Sequence, residues 1–392
     1  MQVSNLVIFI ITIPYLLKVL GPEAYGLVVF AQTTAIYFSI VINFGFNVTG
    51  TRDIAVHRHN PEKVSGIISS ILFLKLAIFI LMVVVLSVLV CFISLLKEHP
   101  VIFFLSMLAC LSDALFPVWY FQGIEKMKYI TFINMLTRSI SALLIFIIIR
   151  QTSDYVLVPL ILGTGTLSGA VTGLFIMLKV HGNKLVLIPP ERLRKCVRDN
   201  VPLFISNVST HIYVNANKLI IGSFLGMREV AMYDIADRLV NVLKVPVFMV
   251  GQSLFPHISR TKDMNFLKKA TVLVFVFFLI IYAGLALFAN PLITLFTGDT
   301  NPETVKLLRI LAFSILPVSL SLFLAELILI PFGFFKEYTR MRTCSLLVYL
   351  GIIFSLIIFQ QVDLFRLAFT IIIVETFVVA YSYYLCRKNS II

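Results

Sequence analysis

The sequence predicts an all-α, polytopic membrane protein of about 12 transmembrane helices in two parallel six-helix lobes. The first observation behind this is composition. Of 392 residues, 59% are hydrophobic and only 13% are Asp, Glu, Lys or Arg, and the mean hydropathy is +1.00. A soluble chain of 44.2 kDa needs a charged, mixed surface, which this composition cannot supply. The second is pattern: apolar runs such as 67–96 and 270–289 alternate with short basic loops. Runs of about 20 residues match helices crossing hydrocarbon, whereas barrel strands are shorter and alternate in polarity. The third is an internal resemblance. Gly21, Gly26 and Ala31 recur at constant offset as Gly226, Ala231 and Ala236, six spans later. An even number of spans gives the two halves the same membrane orientation, a parallel repeat of the kind transporters use.

Each span has its own signals. The first, 3–20, is short and stops at Gly21-Pro22, and the second, 26–49, loosens at Gly45. The third, 67–96, is a long run closed by Lys97. The fourth, 100–121, starts on Pro100 and ends before the Gly123 turn, where Trp119 and Tyr120 read as interfacial aromatics. The fifth, 129–149, lies between Lys128 and Arg150. The sixth, 155–178, contains Pro159 and four glycines, Gly163, Gly165, Gly169 and Gly173, which allow close helix packing. The seventh, 201–224, is the most polar, with Pro202, Asn207, His211, Asn215, Asn217 and Lys218. The eighth, 230–256, holds the densest charge, and the remaining spans are 269–296, 304–332, 342–360 and 364–386. The expected domains are an amino-terminal lobe at 1–180, a basic linker at 181–200 with Pro189 and Pro190, and a carboxyl-terminal lobe at 201–392.

The net charge of +13 is dealt out between apolar runs instead of concentrated on one face, so no nucleic-acid partner is expected. Twenty Lys and Arg residues fall in the loops and helix ends following even-numbered spans and on the tail, and seven on the opposite side. By the positive-inside rule both termini and the linker are cytoplasmic. The five cysteines form no CxxC pair and have no His at metal-ligand spacing, so no metal is expected. No cleaved signal peptide is expected either, since residues 1–20 lack a basic lead and a small-residue cleavage site. No Gly-rich stretch ends in Gly-Lys-Ser/Thr, so the chain is not expected to hydrolyse ATP. Catalytic carboxylates on a sizeable external loop are missing too, and the chain is not read as an enzyme.

Ionisable residues at bilayer depth are costly and normally face protein or a water-filled path. Lys75, Asp113, Arg138, Lys218, Asp234, Asp237, Arg238, Lys244, Glu326 and Glu375 lie inside apolar spans. Asp234, Asp237, Asn241 and Lys244 share one helical stripe, as do Asn207, His211, Asn215 and Lys218. Two such stripes imply a hydrated cavity. The aspartates either pair with Arg238 or Lys244 as helix glue or face the cavity, while Lys218, with no acidic residue within four positions on its own helix, is a cation for an anionic substrate. Arg52, beside Asp53, is either an ordinary topology arginine or a phosphate ligand at the membrane interface.

The blocks Thr12–Gly26, Phe30-Ala-Gln32, Asn43-Phe-Gly-Phe-Asn47 leading to Thr51–Ala55, Trp119-Tyr-Phe-Gln-Gly123 and Ser253–Ser259 carry a resemblance. The chain resembles, over its whole length, the polysaccharide and O-antigen unit translocases, lipid-linked oligosaccharide flippases of the multidrug/oligosaccharidyl-lipid/polysaccharide exporter superfamily. One departure is the lead: only the 20 residues before Gly21 form the first span, about 30 Å of helix. The resemblance implies a Gram-negative inner membrane, lipopolysaccharide or polysaccharide biosynthesis, and a cationic central cavity that carries a polyprenyl-pyrophosphate-linked oligosaccharide between leaflets. The expected partners are membrane lipid, that lipid-linked sugar, a polysaccharide polymerase and a chain-length regulator.

On these grounds the expected substrate-binding residues are Arg52, Asn47, Asn215, Lys218, Arg238 and Lys244. The expected ion-coupling carboxylates are Asp237, Glu326 and Asp113, with proton or sodium coupling in place of a cofactor. The alternative function is a cation-coupled multidrug or small-solute antiporter on the same scaffold, which the acidic residues keep open.

Overall fold

The computed structural model describes residues 2–298 and 301–389, and all regular structure among them is helical. The helices are α1 (Gln2–Asn43), α2 (Phe46–His57), α3 (Pro61–Phe92), α4 (Ser94–Glu98), α5 (Pro100–Leu115), α6 (Val118–Gly123), α7 (Lys128–Ile148) and α8 (Leu157–Phe175). They continue with α9 (Pro190–Phe224), α10 (Met227–Thr261), α11 (Met264–Leu287), α12 (Ala289–Thr297), α13 (Pro302–Phe313), α14 (Ile315–Ser321), α15 (Phe335–Ile358) and α16 (Leu364–Lys388). Ten helical stretches among the described residues are long and apolar enough to cross a membrane. The first of these, Ile11–His57, takes in the expected second span and the latter part of the first, which meet at a kink at Gly21, whose φ of 79° and ψ of 166° are open to glycine. The expected seventh span lies in α9, whose polar residues keep it out of the ten.

The chain divides into two compact units, Met1–Val208 and Ser209–Ile392. In the first, α5 packs on α1 and α8, and α8 also packs on α7. The α8 glycines make this possible: a Cβ on Gly163 would lie 2.6 Å from Leu108 Cβ, and one on Gly173 would lie 2.9 Å from the Phe116 ring. Gly165 and Gly169 do the same towards Ser141, Thr137 and Ile133 of α7. Trp119 and Tyr120 are core residues instead of the interfacial aromatics their position suggested. The chain turns at Pro117, so α6 packs against α2, where a Cβ on Gly50 would lie 3.1 Å from the indole. Phe46, Ile54, Ile68, Ile71, Phe121 and Met177 belong to the same cluster.

Only residues 181–189 of the expected linker are irregular, and from Pro190 the chain is already helical. This short stretch is pinned to α3: the Lys184 and Val186 amides donate to Ser65 and Ser69 Oγ at 3.3 and 2.8 Å. In the second unit α13, α14 and a π-helical turn, Leu322–Leu329, form the most buried stretch, packed by α10, α11 and α16. Apolar side chains such as Leu273, Ile280 and Leu287 of α11 point outward, as required of a surface solvated by lipid.

Candidate functional site

Among its described residues the first unit holds one buried cation, Lys75 on α3, which is 1% exposed. Its ammonium donates three hydrogen bonds, to Asn43 Oδ1 at 2.9 Å, Asn47 Oδ1 at 3.1 Å and the Asp113 carbonyl at 3.1 Å. Asn47 Nδ2 in turn donates to Asn43 Oδ1 at 3.2 Å. The three acceptors belong to α1, α2 and α5, so Lys75 bridges the break at Phe44-Gly45 where α1 becomes α2. Both residues there have positive φ, 42° and 84°. Asn47 therefore serves as a ligand of Lys75. The Asp113 carboxylate lies within the fields of Lys75 and Arg138 and takes a hydrogen bond from Ser39.

Arg52 and Asp53 of α2 lie elsewhere in the same unit, where the first turns of α9 cover α2 and α3. Arg52 pairs with Asp53 at 2.9 Å and stays largely exposed. Together they line a cavity of about 570 Å³ with His57, Lys63, Arg192, Lys195, Asp199 and Asn200. Thr49 Oγ1 donates to Asn200 Oδ1 at 2.8 Å, fastening α9 to α2. Burial, then the negative charges of Asp53 and Asp199, push the thiol of Cys196 up to about 11.

The second unit brings together most of the remaining candidates. Lys218 on α9 donates to Asp234 Oδ1 at 2.8 Å and lies 2.9 Å from Asp237 Oδ2, both on α10. The guanidinium of Arg238 takes the other Asp234 oxygen at 2.5 Å, and Asn241 donates to Asp237 at 3.0 Å. Two cations and two carboxylates thus cancel within one buried cluster. Lys218 has no acidic neighbour on its own helix, but the next helix supplies two. Lys244 forms no such close pair, and the carboxylates whose fields reach it are Asp237 and Glu375. Asn215 is turned back on its own helix, donating to the His211 carbonyl at 3.3 Å. The side chain of Asn207 lies outside the described residues.

Glu326 sits on the π-helical turn and is paired: Arg342 of α15 reaches it at 3.3 Å. The same guanidinium donates to the hydroxyls of Tyr213 at 2.8 Å and Tyr338 at 3.3 Å. Sequence reasoning counted Arg342 among loop charges, because it stands at the edge of an apolar run. Its one legible signal was the four-residue spacing from Tyr338, which stacks Tyr338 below it on one helix face. Asn217 is a further missed position. It donates to Tyr233 at 3.0 Å and to the Leu367 carbonyl at 2.8 Å and accepts from Tyr349 at 2.8 Å, tying α9, α10, α15 and α16. Among the described residues no group of three or more His, Cys, Asp or Glu side chains is placed to hold a metal ion.

Residues 1–262, including all of the first unit, match the family model described as "Polysaccharide biosynthesis protein". The chain belongs to this polysaccharide biosynthesis protein family. An Escherichia coli K12 protein described as "Putative O-antigen transporter" is 26% identical, over 100% of this chain and 95% of that protein. Among solved structures, the lipid II flippase MurJ in an inward closed conformation superposes with a TM-score of 0.76 at 15% identity, covering 98% of this chain and 85% of that one. An inward-facing multidrug resistance MATE transporter of the MOP superfamily gives 0.74 at 16% identity, covering 99% and 94%. These likenesses show that the chain has the all-α fold of those two proteins.

Proposed function

We propose that this protein is a flippase that moves polyprenyl-pyrophosphate-linked O-antigen or polysaccharide repeat units across the inner membrane by alternating access. The observation that carries this reading is the ionised interior. Charged and amide side chains are held inside each unit of a bundle whose outer surface is apolar, so a polar head can pass while a prenyl tail stays in lipid. The relative described as "Putative O-antigen transporter" supplies the substrate class. Both termini and the 181–189 segment face the cytoplasm in this reading, from the distribution of Lys and Arg. A polymerase and a chain-length regulator act downstream on the delivered units.

Ion coupling belongs to the same proposal in altered form. Asp237 and Glu326 carry fixed cation partners, Lys218 and Arg342, so a proton or sodium ion reaching either carboxylate must displace an ion pair. The antiporter alternative needs carboxylates available to a cationic drug. Asp234, Asp237 and Glu326 are already engaged by Lys218, Arg238 and Arg342, which favours the anionic lipid-linked substrate. The test is deletion followed by locating the lipid-linked unit. Accumulation in the cytoplasmic leaflet is expected, and accumulation in the outer leaflet contradicts the proposal.

A further inference from the structure

The irregular segment between α8 and α9 reaches a depth that a free basic tether would not. Ser65 and Ser69, whose hydroxyls take the Lys184 and Val186 amides, are one turn apart on α3, about 6 Å along its axis. Two residues of nearly extended chain cover about that distance, so 184–186 runs along α3 towards the middle of the helix. The 32 residues of Pro61–Phe92 make about 48 Å of helix, longer than a hydrocarbon core of about 30 Å, so the turns that follow Glu62 and Lys63 lie in the headgroup layer. From Val64 to Leu72 no α3 side chain is exposed, and Phe73 is the first large apolar one to face outward. An irregular chain at this level has little water to satisfy its amides, and the two serine hydroxyls serve instead. Its side chains do not turn inward, however: Leu187 is fully exposed, and Leu185 and Val180 are exposed too. From Lys179 to Arg198 the chain carries six Lys or Arg against one Glu. On α9, Arg194, Arg198, Val201 and Ile205 follow at four- and three-residue spacings on the face opposite the cavity-lining Arg192, Lys195, Cys196 and Asp199. All four are exposed, so this outer face changes from basic to apolar as the helix proceeds.

We propose that the 181–189 segment and the outer face of the first turns of α9 form a seat for anionic phospholipid, with Leu185 and Leu187 entering the upper acyl region and Lys184, Arg194 and Arg198 meeting headgroup phosphates. Depth, exposed leucines and excess positive charge together select this occupant. A partner in water does not reach leucines level with the first lipid-facing residue of α3, and a zwitterionic headgroup leaves the charge unmatched. Apolar side chains beside Lys and Arg are the combination by which interfacial segments hold to anionic membranes. The three cations lie outside the cavity lined by Arg52. Arg198 stands 3.9 Å from Asp199 and its side chain stays 80% exposed, while the side chains of Lys184 and Arg194 make no described hydrogen bond or ion pair. The seat does not depend on which substrate the protein carries. It makes the chain leading into α9 a strap fixed on α3 and on the membrane surface.

Fluorescence quenching by brominated lipid tests the seat. The chain has a single tryptophan, the buried Trp119, so Leu187→Trp in the full-length protein adds one reporter at an exposed position and wild type gives the background. Each protein is reconstituted in phosphatidylcholine vesicles in which a fixed minor fraction of lipid, either phosphatidylcholine or phosphatidylglycerol, is brominated near the top of its acyl chains. The added tryptophan should be quenched above background by both lipids, and at least about threefold more strongly by phosphatidylglycerol. High salt should shrink that preference, because it screens exposed charges. Lys184→Gln with Arg194→Gln should shrink it too, and the salt series alone decides the matter if that variant misfolds. No quenching above background leaves the segment in water and overturns the proposal. Equal quenching by the two lipids, or a preference untouched by both salt and the two substitutions, overturns it as well.

Discussion

Lys218 on α9 and Asp237 on α10 face each other at 2.9 Å across the turn at Leu225-Gly226. With Asp234 and Arg238 they make a neutral cluster, and Asp234 is fully buried in it. Removing one member of such a cluster leaves an uncompensated charge, which costs about 3–5 kcal/mol in soluble proteins. Lys218→Gln is therefore expected to lower the melting temperature and the membrane abundance of the protein. Adding Asp237→Asn should recover part of both, since the pair then leaves together. Normal abundance with lost transport in Lys218→Gln would instead return Lys218 to substrate binding.

Lys75 makes the corresponding prediction for the first unit. Lys75→Met keeps the length of the stem and deletes the ammonium, leaving Asn43, Asn47 and the Asp113 carbonyl without their shared donor. The expected loss is on the order of 2–3 kcal/mol, from unsatisfied buried acceptors at a positive-φ break. Asn47→Ala removes one acceptor of three and should cost less. Thermal unfolding in detergent ranks the two, and an Asn47→Ala variant worse than Lys75→Met would contradict the assignment.

Helix packing around α8 is testable with a matched control. Gly163→Val places methyl groups into Leu108, already 2.6 Å from a bare Cβ, whereas Gly284→Val on α11 meets nothing within 4 Å. The first should lose folded protein by size-exclusion yield, at an overpacking cost of about 1–3 kcal/mol, and the second should not. Equal yields would mean that α5 and α8 pack less closely than described.

Cys196 carries a pH prediction. Its thiol is raised to about 11 by burial and by Asp53 and Asp199, and the reactive species is the thiolate. Raising an acid's pKa depletes the anion at neutral pH. Maleimide labelling of Cys196 should therefore be slow at pH 7 and rise about tenfold per pH unit until the pH nears that value. A rate that levels off below pH 9 would contradict the acidic surroundings assigned to this thiol.

The fold was legible because bilayer physics acts on composition. Apolar runs, the Gly21-Pro22 break and the glycines of α8 can all be read along one chain: α1 kinks at the break, and α8 packs closely at its glycines. The polar interior was legible only as residues at depth. Lys218 has no acidic neighbour on its own helix, which suggests a cation awaiting substrate, yet its partners are 16 and 19 positions away on the next helix. Glu326 is paired in the same way, by Arg342 from the following helix, 16 positions on. Trp119 shows the converse: an aromatic at a helix end suits either an interface or a core, and only the packing of α6 against α2 decides for the core. Pairing between helices is a tertiary property that spacing along one helix does not contain.

Transport itself is the central claim, and reconstitution tests it most directly. Purified protein in phosphatidylcholine vesicles, loaded with a labelled undecaprenyl-pyrophosphate-linked repeat unit, is assayed for loss of the inner-leaflet pool to an outside glycosidase. Each assay is run with and without imposed proton or sodium gradients. Wild-type protein is expected to expose the inner pool far faster than empty vesicles. A gradient should accelerate this in wild type, and Glu326→Gln and Asp237→Asn should each reduce the acceleration. An inner pool as protected in the presence of the protein as in its absence, under every gradient, would contradict the account.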